Sequence, residues 1–306
     1  MKLAISGKGG TGKSTLAAAL SLLMAGKGWR VVAVDADPDG NLAAALGASP
    51  EEAGRITPIS RQKELIEERT GAKVKQYGQM FKLNPEVSDI AEGFGTNLKG
   101  VTLLVLGAIE VGGSGCACPE SVLIKALVSD LVLHRKDALV MDMEAGIEHL
   151  GRATARGVDT LLVMVEPSQR AIDSAHRVAR LGAEIGLRDI RFVANKVASP
   201  ADEQYIRTAL PGRDIVGVIP WSEEIRTAER QGRPVLDGAG EDLLRCFESI
   251  LQRLGAATEG RPQEGTRSRK DVSKQAISAT RSAGLRPGAA QPTPPVPDRR
   301  PPHRRD

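Results

Sequence analysis

A chain of 306 residues, 41% hydrophobic but only 3% aromatic, can form one large domain or two small ones around an aliphatic core. The formal charge of +4 is unevenly spread: residues 257–306 carry 11 Lys/Arg against 5 Asp/Glu and 8 of the 18 prolines, which leaves residues 1–256 at −2 and without the basic surface of a nucleic-acid binder. No apolar run reaches membrane-spanning length and no leader precedes the first strand. Three cysteines, Cys116, Cys118 and Cys246, make no disulfide framework, so the expectation is a cytoplasmic protein.

The chain opens on a short apolar strand, Leu3-Ala4-Ile5, followed by Ser6-Gly7-Lys8-Gly9-Gly10-Thr11-Gly12-Lys13-Ser14-Thr15 and an Ala/Leu-rich helical pattern, Leu16 to Leu23. Gly7 to Ser14 fit G-x-x-x-x-G-K-[ST] without mismatch, and the strand–turn–helix context is the one a phosphate-binding loop requires. The glycines let backbone N–H groups curl toward phosphate oxygens at the positive end of the new helix. Lys13 then bridges β- and γ-phosphates, and the Ser14 hydroxyl sits on Mg²⁺. Lys8 does not easily reach the same phosphates, so it is available for a nucleotide held elsewhere, for instance across a dimer.

Further strands are expected at 30–34, 101–106, 138–142, 160–165, 190–194 and 215–219. Helices are expected near 61–69, 121–133, 168–185, 223–231 and 241–254, with few signals over 50–98. Continuous aliphatic strands alternating with helices predict an α/β fold, a mostly parallel sheet covered on both faces. The pattern stops after Gly255. This divides the chain into a domain at 1–255 and a Pro/Arg-rich tail at 256–306 that cannot build a core and is expected to be disordered. The tail reads as a solvated extension, with contact to nucleic acid or an acidic partner as the alternative.

In a parallel sheet the chemistry gathers at the carboxyl ends of strands. Asp142 ends one strand and is the natural outer-sphere partner of Mg²⁺ beside Ser14, not a direct ligand; a helix cap is its alternative. Asp35 and Asp37 end another, and Asp37 has the better reach to orient water at a γ-phosphate. Asp39 and Asn41 read as turn and N-cap residues. Asn195 either reads an adenine edge or caps a loop. The segment Gly115-Cys116-Ala117-Cys118-Pro119 puts two sulfurs on one side of an extended chain. Thiolate-preferring ions such as Zn²⁺ or Ni²⁺ usually take four ligands, and no histidine or third cysteine lies nearby in sequence. Two-fold pairing of the loop with its own copy supplies four thiolates; small buried residues are the alternative. Cys246 falls in an apolar helical pattern and reads as core.

The loop Lys8-Gly9-Gly10-Thr11-Gly12-Lys13-Ser14 resembles the deviant Walker A motif of the P-loop NTPase family that contains the nitrogenase iron protein and the partitioning and septum-site ATPases. Within it, the Cys116–Cys118 segment and Asp142-Met143-Glu144-Ala145-Gly146-Ile147-Glu148-His149-Leu150 are similar to the nickel-insertion accessory ATPases of carbon monoxide dehydrogenase, the CooC type. The resemblance covers about residues 1–255. It implies an ATPase with ATP and Mg²⁺ held by Gly9, Gly10, Thr11, Gly12, Lys13, Ser14, Thr15 and Asn195. It further implies Lys8 contacting the other subunit's nucleotide, Asp37 in switch I positioning water, Asp142 as the Walker B acid, and Glu144 to His149 as switch II. Cys116 and Cys118 would share one Ni²⁺ (or Zn²⁺) across a homodimer whose client is a nickel carbon monoxide dehydrogenase. His149 reads as structural rather than as a nickel ligand, and His134 and His176 fall within helical patterns. Rival readings are a positioning ATPase, an ATPase bridged by an iron–sulfur cluster, and a maturation factor for acetyl-CoA synthase; neither membrane nor nucleic acid is an expected partner.

Overall fold

The computed structural model describes residues 1–74, 79–108, 118–144, 146–147, 150 and 152–259. Among these, eight strands form one sheet: β1 (Lys2–Gly7), β2 (Val31–Ala36), β3 (Thr96–Leu98), β4 (Val101–Val105), β5 (Ala138–Met143), β6 (Thr160–Val165), β7 (Ile190–Val197) and β8 (Ile215–Pro220). The spatial order is β3-β4-β2-β5-β1-β6-β7-β8. All pairings are parallel except β3–β4, a short edge hairpin turning through Lys99 and Gly100 at positive φ. The fold is a P-loop NTPase-like α/β architecture, as the alternation predicts. Strand β1 lies at its centre, between β5 and β6.

The helices are α1 (Lys13–Gly26), α2 (Leu42–Ala45), α3 (Pro50–Arg55), α4 (Lys63–Thr70), α5 (Ile90–Phe94), α6 (Pro119–Leu133), α7 (Arg152–Ala155), α8 (Gln169–Ile185), α9 (Pro200–Ala209), α10 (Glu223–Arg230) and α11 (Glu241–Glu259). Every residue of β2, β5 and β6 is buried, because helices cover both faces of the sheet. Alternate strand residues serve opposite cores. Leu3 and Ile5 join Leu16 and Leu20 of α1 and Phe247 of α11 on one side, while Ala4, Val32 and Leu139 join Leu123 and Leu127 of α6 and Ala175 of α8 on the other.

Several short elements went unread in the sequence, α3, α5 and α7 among them, and for β3 and α9 the physical reason is plain. β3 is three residues long and shows no apolar run. Helix α9 buries only Ile206, so it has no apolar stripe; its start is fixed instead by a capping box between Ser199 and Asp202. Helix α11 runs on to Glu259, past Leu254. The expected tail lies outside the described residues from 260 onward.

Candidate nucleotide site

The loop between β1 and α1 depends on glycine where other residues do not fit. A Cβ at Gly7 (φ 152°) would lie 2.6 Å from the Met164 carbonyl oxygen, and one at Gly12 (φ 89°) would lie 2.4 Å from Asn195 Nδ2. Thr11 folds the loop back on itself: its amide N–H and its hydroxyl both donate to the Lys8 carbonyl, at 3.2 and 2.7 Å. The N-cap of α1 is Gly12, which has no side chain to cap the first-turn N–H groups. Those donors are left for an anion.

Two buried aspartates lie under the loop. Asp35 and Asp142 are register partners on β2 and β5, each 0% exposed. Asp35 accepts backbone N–H bonds from Asp37 (3.2 Å) and Leu42 (3.0 Å), so it, and not Asn41, caps α2. Neither oxygen of Asp142 accepts a hydrogen bond. Burial pushes the Asp142 carboxyl up to about 7, against a smaller downward pull from the nearby Ser14 hydroxyl, which is not in hydrogen-bonding geometry. Burial likewise raises Asp35 to about 6, opposed by its two backbone donors. A buried carboxylate with both oxygens unpaired, next to a serine hydroxyl, is a donor set that suits Mg²⁺. Asp37 Oδ2 lies 3.8 Å from Lys13 Nζ, and its Oδ1 accepts the Asp39 N–H at 3.1 Å, which makes Asp39 a turn residue.

The far wall comes from the ends of β7 and β8 and from α10. Asn195 Nδ2 donates to the Thr11 carbonyl (2.8 Å), and its Oδ1 accepts the Lys196 N–H (2.8 Å). One amide hydrogen and one lone pair remain for a base edge. The residues after β8 lead into α10, where Arg226 stacks 5.4 Å from the ring centroid of half-exposed Trp221. Glu229 of α10 accepts the Thr15 hydroxyl at 2.9 Å. Together these walls enclose a cleft of about 600 Å³ that runs from Lys13 and Asp37 to Asn195 and Trp221.

Residues 2–235 match the CobQ/CobB/MinD/ParA nucleotide binding domain. The chain belongs to that family. It is 42% identical over 258 residues to the carbon monoxide dehydrogenase accessory protein CooC of Rhodospirillum rubrum, covering 83% of this chain and 98% of CooC. It is 39% identical over 257 residues to an uncharacterized ATP-binding protein of Methanocaldococcus jannaschii, covering 82% and 98%. In fold it is similar to the MinC:MinD cell division complex of Aquifex aeolicus, with a TM-score of 0.59 over 86% of this chain and 98% of that one, at 20% identity. The chain is thus a nucleotide-binding ATPase of the MinD/ParA family, similar to CooC.

The segments expected from the sequence to form switch II and a metal site are described only in part. The Ser6 hydroxyl, at the end of β1, faces the carbonyls of Glu144 (3.0 Å) and Gly146 (2.8 Å) and ties the segment after β5 to the start of the phosphate loop. Sequence reasoning passed over Ser6, since one serine in a glycine-rich loop carries no pattern. Ala145, Glu148 and His149 lie outside the described residues, and so does Cys116. Cys118 is the N-cap of α6: its Sγ accepts the Ser121 N–H at 3.4 Å, and burial raises its thiol pKa, with Glu120 adding to the rise. Among the described residues no group of three or more His, Cys, Asp and Glu is placed to hold a metal ion. Cys246 is half-buried against the α1/α11 core and donates to the Val218 carbonyl; His134 and His176 contact Asp130 and the Ala209 carbonyl.

Proposed function

We propose that this ATPase is a maturation factor that delivers nickel to carbon monoxide dehydrogenase. The observation that carries the reading is the 42% identity to CooC across 98% of that accessory protein's length, in a chain whose sequence holds the Cys116–Cys118 pair and whose Cys118 opens α6. Lys13 and the loop amides Gly9 to Thr15 bind the phosphates of ATP, and Asp37 orients the attacking water. Ser14 and Asp142 would hold Mg²⁺, which when bound neutralises phosphate charge. Asn195 reads adenine, and Lys8 contacts the nucleotide of a partner subunit.

In this scheme ATP favours a homodimer in which Cys116 and Cys118, with the same pair from the partner subunit, make a four-thiolate site for one Ni²⁺, or Zn²⁺ in its place. Hydrolysis loosens the dimer through switch II, from Glu144 to His149, and the ion passes to the client. Nucleotide binding energy is thereby coupled to metal affinity. The segment beyond α11 takes no part in this cycle. A cytoplasmic setting belongs to this reading; among the described residues, no helix is long and apolar enough to cross a membrane.

The test is anaerobic metal titration and size exclusion with ADP or ATP, wild type against Cys116→Ala/Cys118→Ala. One ion per dimer, tighter with ATP and lost in the double variant, is the expected result. Equal affinity with and without nucleotide, or one ion per monomer, would sink the scheme.

A further inference from the structure

Three adjacent strands bring three charged side chains together above the phosphate loop. Glu166 follows β6, Lys8 follows β1, and Lys196 lies near the end of β7. The two oxygens of Glu166 are divided between the two lysines: Oε1 lies 3.8 Å from Lys8 Nζ and Oε2 lies 3.2 Å from Lys196 Nζ. The carboxylate itself is held in place. The Ser168 hydroxyl, which also caps α8, donates to Oε1 at 3.3 Å, and the Glu166 side chain is 19% exposed. Lys196 is equally fixed; its backbone takes a φ of 58° and its ammonium also donates to the Gly10 carbonyl at 2.6 Å. Lys8 is the least tethered of the three: its ammonium has no other ion pair among the described residues, whereas that of Lys196 is also bonded to the loop backbone.

We propose that Glu166 is a positioning residue, the shared counter-ion that keeps Lys8 on its own subunit until a second nucleotide-loaded subunit draws it away. The inference rests on the reading of Lys8 as a residue that acts on a partner's nucleotide. A fixed carboxylate cannot follow Lys8 across an interface, so the pair must break before Lys8 reaches a phosphate elsewhere. Lys196 stays behind and keeps Glu166 paired, so no uncompensated charge is left beside the loop. The arrangement is a graded brake on pairing, not a lock.

The test is ATPase activity against protein concentration at saturating MgATP for the full chain. Glu166→Gln and Glu166→Ala, two neutral variants so that a folding defect in one does not end the test, should lower the concentration of half-maximal specific activity about two- to fivefold, the scale of a part-exposed ion pair. Glu166→Asp, which keeps the charge, should stay near wild type, and Lys8→Ala/Glu166→Gln should behave like Lys8→Ala. An unchanged or raised midpoint in both neutral variants, with Lys8→Ala inactive, overturns the role of Glu166 and leaves that of Lys8 standing. Wild-type activity in Lys8→Ala instead removes the reading on which the inference rests.

Discussion

Asp142 and Asp35 occupy one register position on adjacent parallel strands, and their surroundings set them apart. Asp35 accepts two backbone N–H bonds and fixes the turn into α2, whereas both oxygens of Asp142 are unpaired at full burial. The same residue type at the same depth is tied into a turn in one strand and left without a hydrogen-bond partner in the next.

Asp142 makes the free protein pH-sensitive. An acid raised from 3.8 to about 7 by burial binds its proton more tightly folded than unfolded, so it lowers stability as pH rises across that interval. Asp35, raised to about 6, acts in the same direction. Asp142→Asn should therefore raise the Tm of nucleotide-free protein at pH 8, flatten its fall between pH 5 and 8, and reduce Mg²⁺-dependent ATPase at least ~100-fold. Thermal unfolding across pH, beside steady-state turnover, checks both.

The space beside Gly12 is already taken. Gly12→Ala adds a Cβ 2.4 Å from Asn195 Nδ2 at a φ of 89°, so the loop must shift or lose its bond from Asn195 to Thr11. The left-handed backbone adds roughly 1–2 kcal/mol of strain. Fluorescent-nucleotide titration should show binding weakened more than tenfold, while circular dichroism shows the fold kept.

Ser6 links the phosphate loop to the segment after β5 through the carbonyls of Glu144 and Gly146. Ser6→Ala leaves both without this donor, and the expected loss is about 1–3 kcal/mol in urea unfolding. Turnover should fall more than ATP affinity, because the altered segment lies beyond the binding loop. Equal losses in both would argue for general loosening.

Cys118 separates capping from metal binding. Serine is a good N-cap, so Cys118→Ser should hold or improve the Tm while the metal content of the ATP-bound protein falls to background. If the serine variant retains nickel, Cys118 is a cap and nothing more.

Much of the fold was legible because buried parallel strands are written as unbroken aliphatic runs. The runs at 160–165 and 138–142 return almost unchanged as β6 and β5. The phosphate loop was legible for a related reason: its chemistry is local, with Gly7, Gly12, Lys13 and Ser14 adjacent in the chain. Glu166 and Lys196 were not singled out, since their meaning comes from the adjacency of β1, β6 and β7, and no local pattern encodes which strands are neighbours.

By itself the sequence determined a phosphate-loop motif, an aliphatic and mostly parallel sheet, and two cysteines two residues apart. Only the tertiary structure decided which aspartate was left unpaired, that Asn195 braces the loop as well as facing the cleft, and that one glutamate serves two lysines. The reason is range. Backbone conformation and hydrophobic period are set within a few residues, but the charge state and hydrogen-bond partners of a side chain are set by whatever the fold brings within about 4 Å of it.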